Sequence, residues 1–186
     1  CMLLISIFFP LMYALKLSFY SGDTFIGLGN YIRAVKDPEV GNAFVNTISF
    51  TFFSVVFHVI IGLALAMLLN QVTRGRGALR ILLLIPWMIA PVVTGTTWKW
   101  MLNSQYGVIN DILLRLGMIK EYVPWLASMK LALPSVIIAN IWMRFPYVMI
   151  MLFAGLQSIP NELYEAASVD GASGWQKLLK ITLPQL

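Results

Sequence analysis

Charge is what this chain has least of. Charged residues fill 11% of its 186 positions while 59% are hydrophobic, against roughly 25% charged in an ordinary soluble domain. That scarcity excludes a soluble globule of this size. It suits a helical protein that crosses a membrane several times, because lipid-facing surfaces need no polar coat. Cysteine is nearly missing as well. With Cys1 alone, no internal disulfide can form and the redox compartment leaves no mark. Histidine is limited to His58, with no second His, Cys or acid at metal-ligand spacing, so no metal site is expected and a packing role is the reading for that ring. The eight acidic residues all fall outside the apolar runs, which argues against a carrier driven by protons or ions. No Gly-x-x-x-x-Gly-Lys-Ser/Thr string is present. The nearest approach, Gly171 to Leu178, has Gln176 in place of the second glycine and Leu178 in place of the hydroxyl, so the chain lacks a phosphate-binding loop of its own. Asp111 and Glu121 lie in a loop with no organised base or nucleophile, so no catalytic residue is assigned and a membrane-embedded glycosyl transferase is disfavoured.

What is present is a series of long apolar runs. Four are expected to span the membrane: Met2–Tyr20, Phe44–Leu69, Leu79–Leu102 and Leu131–Leu156. The first has neither the basic start nor the small-residue cleavage site of a signal peptide. The second offers Gly62, Ala64 and Ala66 for close helix packing. The third is interrupted by Pro86 and Pro91, and the fourth contains Pro146. Prolines free backbone carbonyls that neighbouring helices or a wet cavity must satisfy. Lys99, between Trp98 and Trp100, reads as a snorkelling interface anchor.

The net charge of +5 reflects cytoplasmic loops rather than a nucleic-acid partner. The link after the second span holds Arg74, Arg76 and Arg80 with no acid and is placed inside. The mixed-charge loops Ser21–Ala43 and Asn103–Lys130 are placed outside. The amino terminus is then cytoplasmic, as is the segment after the fourth span. The chain begins at Cys1 without a methionine and stops at Leu186 just after a Leu-Pro, and it is expected to be a fragment of a longer protein.

That last segment is polar and punctuated. Pro160 suits a first helical position and Glu162 the first turn. Ile159, Leu163, Ala166 and Ala167 fall on one stripe. Gly171, after Asp170, can take the positive φ that ends a helix. Ser173 and Gln176 have capping-box spacing. Trp175, Leu178 and Leu179 give the second helix an apolar side, and Leu183-Pro184 is expected to close it. The result is a helix–turn–helix elbow over residues 158–184. An ordinary interfacial loop with good caps is the plainer reading of the same spacing.

Glu165-Ala166-Ala167, then Gly171, then Ile181-x-Leu183-Pro184 resembles the EAA signature of binding-protein-dependent ABC transporter permeases. Four further strings resemble the carbohydrate, maltose-type branch of that family: Gly27-Leu28-Gly29-Asn30-Tyr31, Asn46-Thr47, Arg80 to Pro86-Trp87, and Ala154 to Pro160. The resemblance implies an all-α polytopic membrane protein with four of about six spans present. Residues 1–43 would be the first helix and an external loop, and residues 44–186 the permease core. It also implies a transport subunit rather than an enzyme, in the inner membrane, moving a sugar or sugar-like solute. Its partners would be a second permease subunit, a cytoplasmic ATPase dimer that binds ATP and Mg, and an extracytoplasmic solute-binding protein. Glu165, Ala166, Ala167, Asp170 and Gly171 would couple to the ATPase.

The same resemblance assigns Asn140, Met143, Arg144 and Tyr147 to the solute. Arg144 departs from the family, which has a small residue there, and keeps a glycerol phosphate, a polyol or an anionic sugar open as the cargo. An arginine deep in an apolar span either faces a cavity or pairs with a neighbouring helix. Trp142 and Tyr147 either present flat faces to a sugar or pack. The loop from Tyr106 to Asn110 is either a contact for the solute-binding protein or a plain turn.

Overall fold

The computed structural model describes residues 2–186, with side chains from Ser6 onward. Cys1 lies outside the described residues. The chain divides into two units, one ending at Ser49 and the other Phe50–Leu186.

In the first unit, α1 (Met2–Ser18) leads into a two-stranded hairpin, β1 (Tyr20–Ser21) and β2 (Thr24–Phe25), and then α2 (Gly29–Lys36). The Gly27-to-Tyr31 string does the fastening here. Gly27 takes φ +55, a region that favours glycine. The Asn30 amide then donates to the Ser18 and Tyr20 carbonyls at 3.0 and 2.9 Å, which satisfies one acceptor at the end of α1 and ties β1 to α2. Tyr31 and Ser18 hydroxyls meet at 2.6 Å.

α3 (Pro38–Gln71) follows. Asp37 starts it, its carboxylate accepting from the Glu39 N–H at 2.9 Å, and Pro38 loses nothing at the first position. The second unit continues with α4 (Arg76–Met88), α5 (Pro91–Met101), α6 (Val108–Arg115), α7 (Ala132–Ser158), α8 (Asn161–Val169), α9 (Gly174–Lys177), a π-turn (Leu178–Thr182) and α10 (Leu183–Gln185).

α3 and α7 are long and apolar enough to cross a membrane. The expected third span, Leu79–Leu102, is not one straight helix. It is the pair α4 and α5, bent by 87°. The cause is local: the ring of Pro91 pushes the residue before it out of the helical region, and Ile89 and Ala90 are extended at ψ 132 and 137. α1 is an apolar helix of 17 residues.

α3 and α7 approach closely at Gly62, where an added Cβ would lie 3.1 Å from the Met149 nitrogen. A side chain there would need the α7 backbone to give by a few tenths of an ångström, so glycine suits the close approach. Ala66, one turn on, is fully buried, whereas Ala64 faces out, so two of the three small residues form the contact. Below them Leu69, Met149, Phe153, Leu156 and Ile159 make the core. That core joins the end of α3 to the end of α7, where the elbow begins.

Candidate functional site

The elbow departs from α7 at Ile159, buried in the core, and Pro160, which caps α8 from the outside rather than opening it. α8 ends in a full Schellman motif. Gly171 donates to the Ser168 carbonyl at 3.1 Å and Ala172 to the Ala167 carbonyl at 2.8 Å, with Gly171 at φ +75. Those two bonds use up carbonyls that a helix end would otherwise leave bare, and the left-handed residue between them is glycine because a side chain there is strained. Nothing lies within 4 Å of a Cβ built on Gly171, so backbone conformation, not space, is the constraint.

α9 begins with the capping box expected from its sequence: Ser173 Oγ accepts from the Gln176 N–H at 3.3 Å and Gln176 Oε1 from the Ser173 N–H at 2.7 Å. Leu183-Pro184 does not close this helix. The chain widens into the π-turn and continues helically to Gln185. A proline in a regular helix lacks a donor and its ring strikes the carbonyl four residues back. The wider turn, in which Leu183 donates to Leu178 five residues back, accommodates it.

Two ties hold the elbow shut. Lys177 Nζ donates to Ser168 Oγ at 2.6 Å, and the Tyr164 and Thr182 hydroxyls meet at 3.0 Å. Tyr164 and Ile181 also pack on the α3–α7 core. The outer surface is open: Glu165, Ala166, Asp170 and Gly171 are exposed, and Ala167 is half-buried. A depression of about 400 Å³ lies between the two helices, lined by Ala167, Asp170, Gly171 and Lys180 among others. Val169 and Trp175 stand out at 88% and 69% exposure. Leu163 is exposed as well, whereas Ile159 turns inward, so the anticipated stripe splits between core and surface.

On α7, Asn140, Met143, Arg144 and Tyr147 are spaced so that all four share one face. Asn140 and Met143 are half-buried, Arg144 and Tyr147 exposed. His58 of α3 reaches the Asn140 backbone carbonyl at 3.3 Å, a packing contact like the one expected of it. Tyr147 is stacked at a tilt against Trp87, 5.8 Å between ring centres, so α4 and α7 share that aromatic surface. Among the described residues Arg144 has no hydrogen bond or ion pair. Trp142 sits elsewhere: it meets Trp98 edge-on at 6.0 Å and lines an apolar groove of about 680 Å³ with Phe53, Phe57, Ile141 and Phe145. That groove and the Arg144 face are separate.

Sequence reasoning missed the role of Asn110. This side chain is fully buried. Its amide donates to the Asn103 and Val123 carbonyls at 3.1 Å each, and its Oδ1 accepts from the Val123 N–H at 3.1 Å and Trp125 Nε1 at 2.9 Å. A Cβ on neighbouring Gly107 would collide with the backbone of Asn103 and Met101. The segment between α5 and α7 is therefore a shaped element. The only signal was one amide among the apolar residues of α6.

Apolar spans joined to an anchored elbow with an exposed outer face define a polytopic helical membrane protein. The chain belongs to the family of binding-protein-dependent transport system inner membrane components, whose model matches residues 26–186. It is 40% identical to the trehalose/maltose transport system permease protein MalF of Thermococcus litoralis, covering 98% of this chain and 63% of that one. It is 38% identical to the sulfoquinovosyl glycerol transport system permease protein SmoG of Agrobacterium fabrum, over 87% and 52%. The fold matches a crystal structure of a bacterial ABC transporter involved in import of the acidic polysaccharide alginate, with a TM-score of 0.85 and 27% identity over 99% of this chain and 64% of that one. The chain thus spans less than two thirds of the length of these relatives.

Proposed function

We propose that the protein is a permease subunit of an ABC importer that moves a sugar or sugar-like solute across the inner membrane by alternating access. The elbow carries this reading. It is rigid by its Schellman turn and two side-chain ties, rooted in the core through Ile159, Tyr164 and Ile181, and open on its outer face. Such an element passes a push from a separate cytoplasmic ATPase dimer, which binds the ATP and Mg, to α7 and the spans packed on it. Glu165, Ala166, Ala167, Asp170 and Gly171 are the docking residues in this scheme.

A second permease subunit, homologous or identical, supplies the facing wall of the pathway. An extracytoplasmic solute-binding protein delivers the solute, in keeping with the alginate transporter solved together with its pentasaccharide-bound periplasmic protein. Arg76 and Arg80 lie at the same end of the second unit as Leu69 and Gln157, the end from which the elbow departs. That supports one cytoplasmic side for both, while a cytoplasmic amino terminus rests on the charge of the loops alone.

The test uses the full-length protein assembled with its ATPase. Gly171→Val should abolish stimulation of ATP hydrolysis by the loaded binding protein, whereas Gly171→Asn, which tolerates the left-handed region, retains most of it. Wild-type stimulation and uptake in the valine variant would sink the coupling role.

A second reading of the cargo, an anionic sugar, is favoured by one observation. Arg144 stands near the middle of α7, on the face shared with Asn140 and Tyr147, without an acid beside it.

A further inference from the structure

Where α3 ends and α4 begins, two like charges converge. The guanidinium of Arg76 lies 4.5 Å from the centre of the Phe153 ring, and that of Arg80 lies 5.8 Å from the same ring. Cation–π attraction holds each in place, yet bringing two cations together is unfavourable unless an anion sits between them. Neither has an acidic partner, since the ion pair among the described residues is Asp111 with Arg115. Asn70 orients Arg76 by accepting from Nη2 at 2.9 Å, and the Arg76 Nε is buried with no hydrogen-bond partner. A buried donor left unpaired is costly, so this one calls for an acceptor.

The two arginines, with Gly77, Gln157, Leu69 and Phe153, enclose a pocket of about 240 Å³. Gly77 places the start of α4 in its wall, and the cap of α4, Gly75, supplies no side-chain hydrogen bond to the first amides. Helix amides facing outward beside two guanidinium groups suit a phosphate.

We propose that this pocket binds the phosphate of an anionic lipid headgroup. Arg76 and Arg80 take the phosphate oxygens, Gln157 supplies a further amide, and the acyl chains run along α4. A free phosphate shares the headgroup chemistry, but the surface beyond the pocket favours an amphiphile. Ile81, Ile85 and Met88 follow Gly77 along one face of α4 and are exposed by 66%, 46% and 75%. That stripe leads from the pocket into the apolar part of the helix. The pocket is independent of which solute the protein carries, so this assignment and the transport reading fail or stand separately.

The experiment takes the full-length protein purified in detergent and titrates it with phosphatidylglycerol, phosphatidylcholine or inorganic phosphate, reading thermal stability and lipid retained in native mass spectrometry. Phosphatidylglycerol should bind and stabilise, with the other two giving little. Arg80→Gln, at an exposed position, should weaken that binding about five-fold, as expected for one basic residue at an anionic headgroup. Gly77→Leu keeps both charges, has open space at its Cβ and adds bulk to the pocket wall, and should strongly reduce the effect. Equal binding of phosphatidylcholine, or an undiminished response in Gly77→Leu, overturns the proposal. A full response to inorganic phosphate alone overturns the lipid assignment.

Discussion

Arg144 and Gly171 show two ways in which a single residue can matter without touching much. Arg144 is exposed and unpaired within the described residues, near the middle of an apolar span, where a charge is costly unless water or a partner meets it. If it meets an anionic solute, Arg144→Ala should weaken uptake of that solute about 10–100-fold, the loss of a charge-assisted hydrogen bond worth ~1.5–3 kcal/mol. Neutral sugars should be much less affected. Competition uptake assays in vesicles check this, and equal loss for every solute would remove Arg144 from the site. The constraint on Gly171 within the fold is its φ. With open space around its Cβ, Gly171→Val should cost roughly 1–2 kcal/mol without a clash, read as faster hydrogen exchange at the amides of positions 171 and 172. Both residues were legible in the sequence, one as a charge where charges are rare and one as glycine after aspartate. Asn110 was not. Its type says nothing about four hydrogen bonds to partners up to 15 positions away, because those partners are brought to it only by the fold.

At the scale of the element, caps were readable and breaks were less so. The Ser173–Gln176 box and the Gly171 terminus depend on residues close in sequence, and their chemistry is decided locally. The break between α4 and α5 is also local, yet Pro86 and Pro91 look alike in sequence. Pro86 stays buried inside α4 while Pro91 starts a new helix, and nothing in the sequence tells the two cases apart. The path of Leu183-Pro184 turned on a similar point: a π-turn absorbs the proline, and no spacing rule announces one. The α5–α7 segment gives a prediction at this scale. Asn110→Ala leaves the Val123 N–H and Trp125 Nε1 without acceptors, at about 1–3 kcal/mol each if they stay buried. Exchange at Val123 should rise sharply while α3 and α7 keep their protection. Unchanged exchange at Val123 would mean the segment is shaped by Gly107 alone.

For the molecule as a whole, the α3–α7 contact links the membrane spans to the elbow. Gly62→Leu would push a side chain into the Met149 backbone. It should lower the melting temperature in detergent and loosen the elbow, whereas Ala64→Leu, on the outward side of α3, should be nearly neutral. Similar melting for both would remove the close approach from the account. The family, the helical class and the elbow were readable because they rest on composition and on motifs that keep their order. The division of the α7 surface into an Arg144 face and a Trp142 groove was not, since both residues sit within one turn and their neighbours on α3, α4 and α5 decide where each belongs. The 87° bend carries one more consequence. A straight helix closes its own hydrogen-bond ladder, but this corner takes the last carbonyls of α4 and the Val92 and Val93 amides out of one, and in hydrocarbon each such group would cost several kcal/mol. Wherever such a corner lies within the bilayer, water or a protein partner has to meet those groups. In a lipid nanodisc the Val92 and Val93 amides should take up deuterium within seconds to minutes, on the scale of open backbone, while Met149 stays protected. Protection at the corner equal to that of Met149 would show a dry, protein-filled joint.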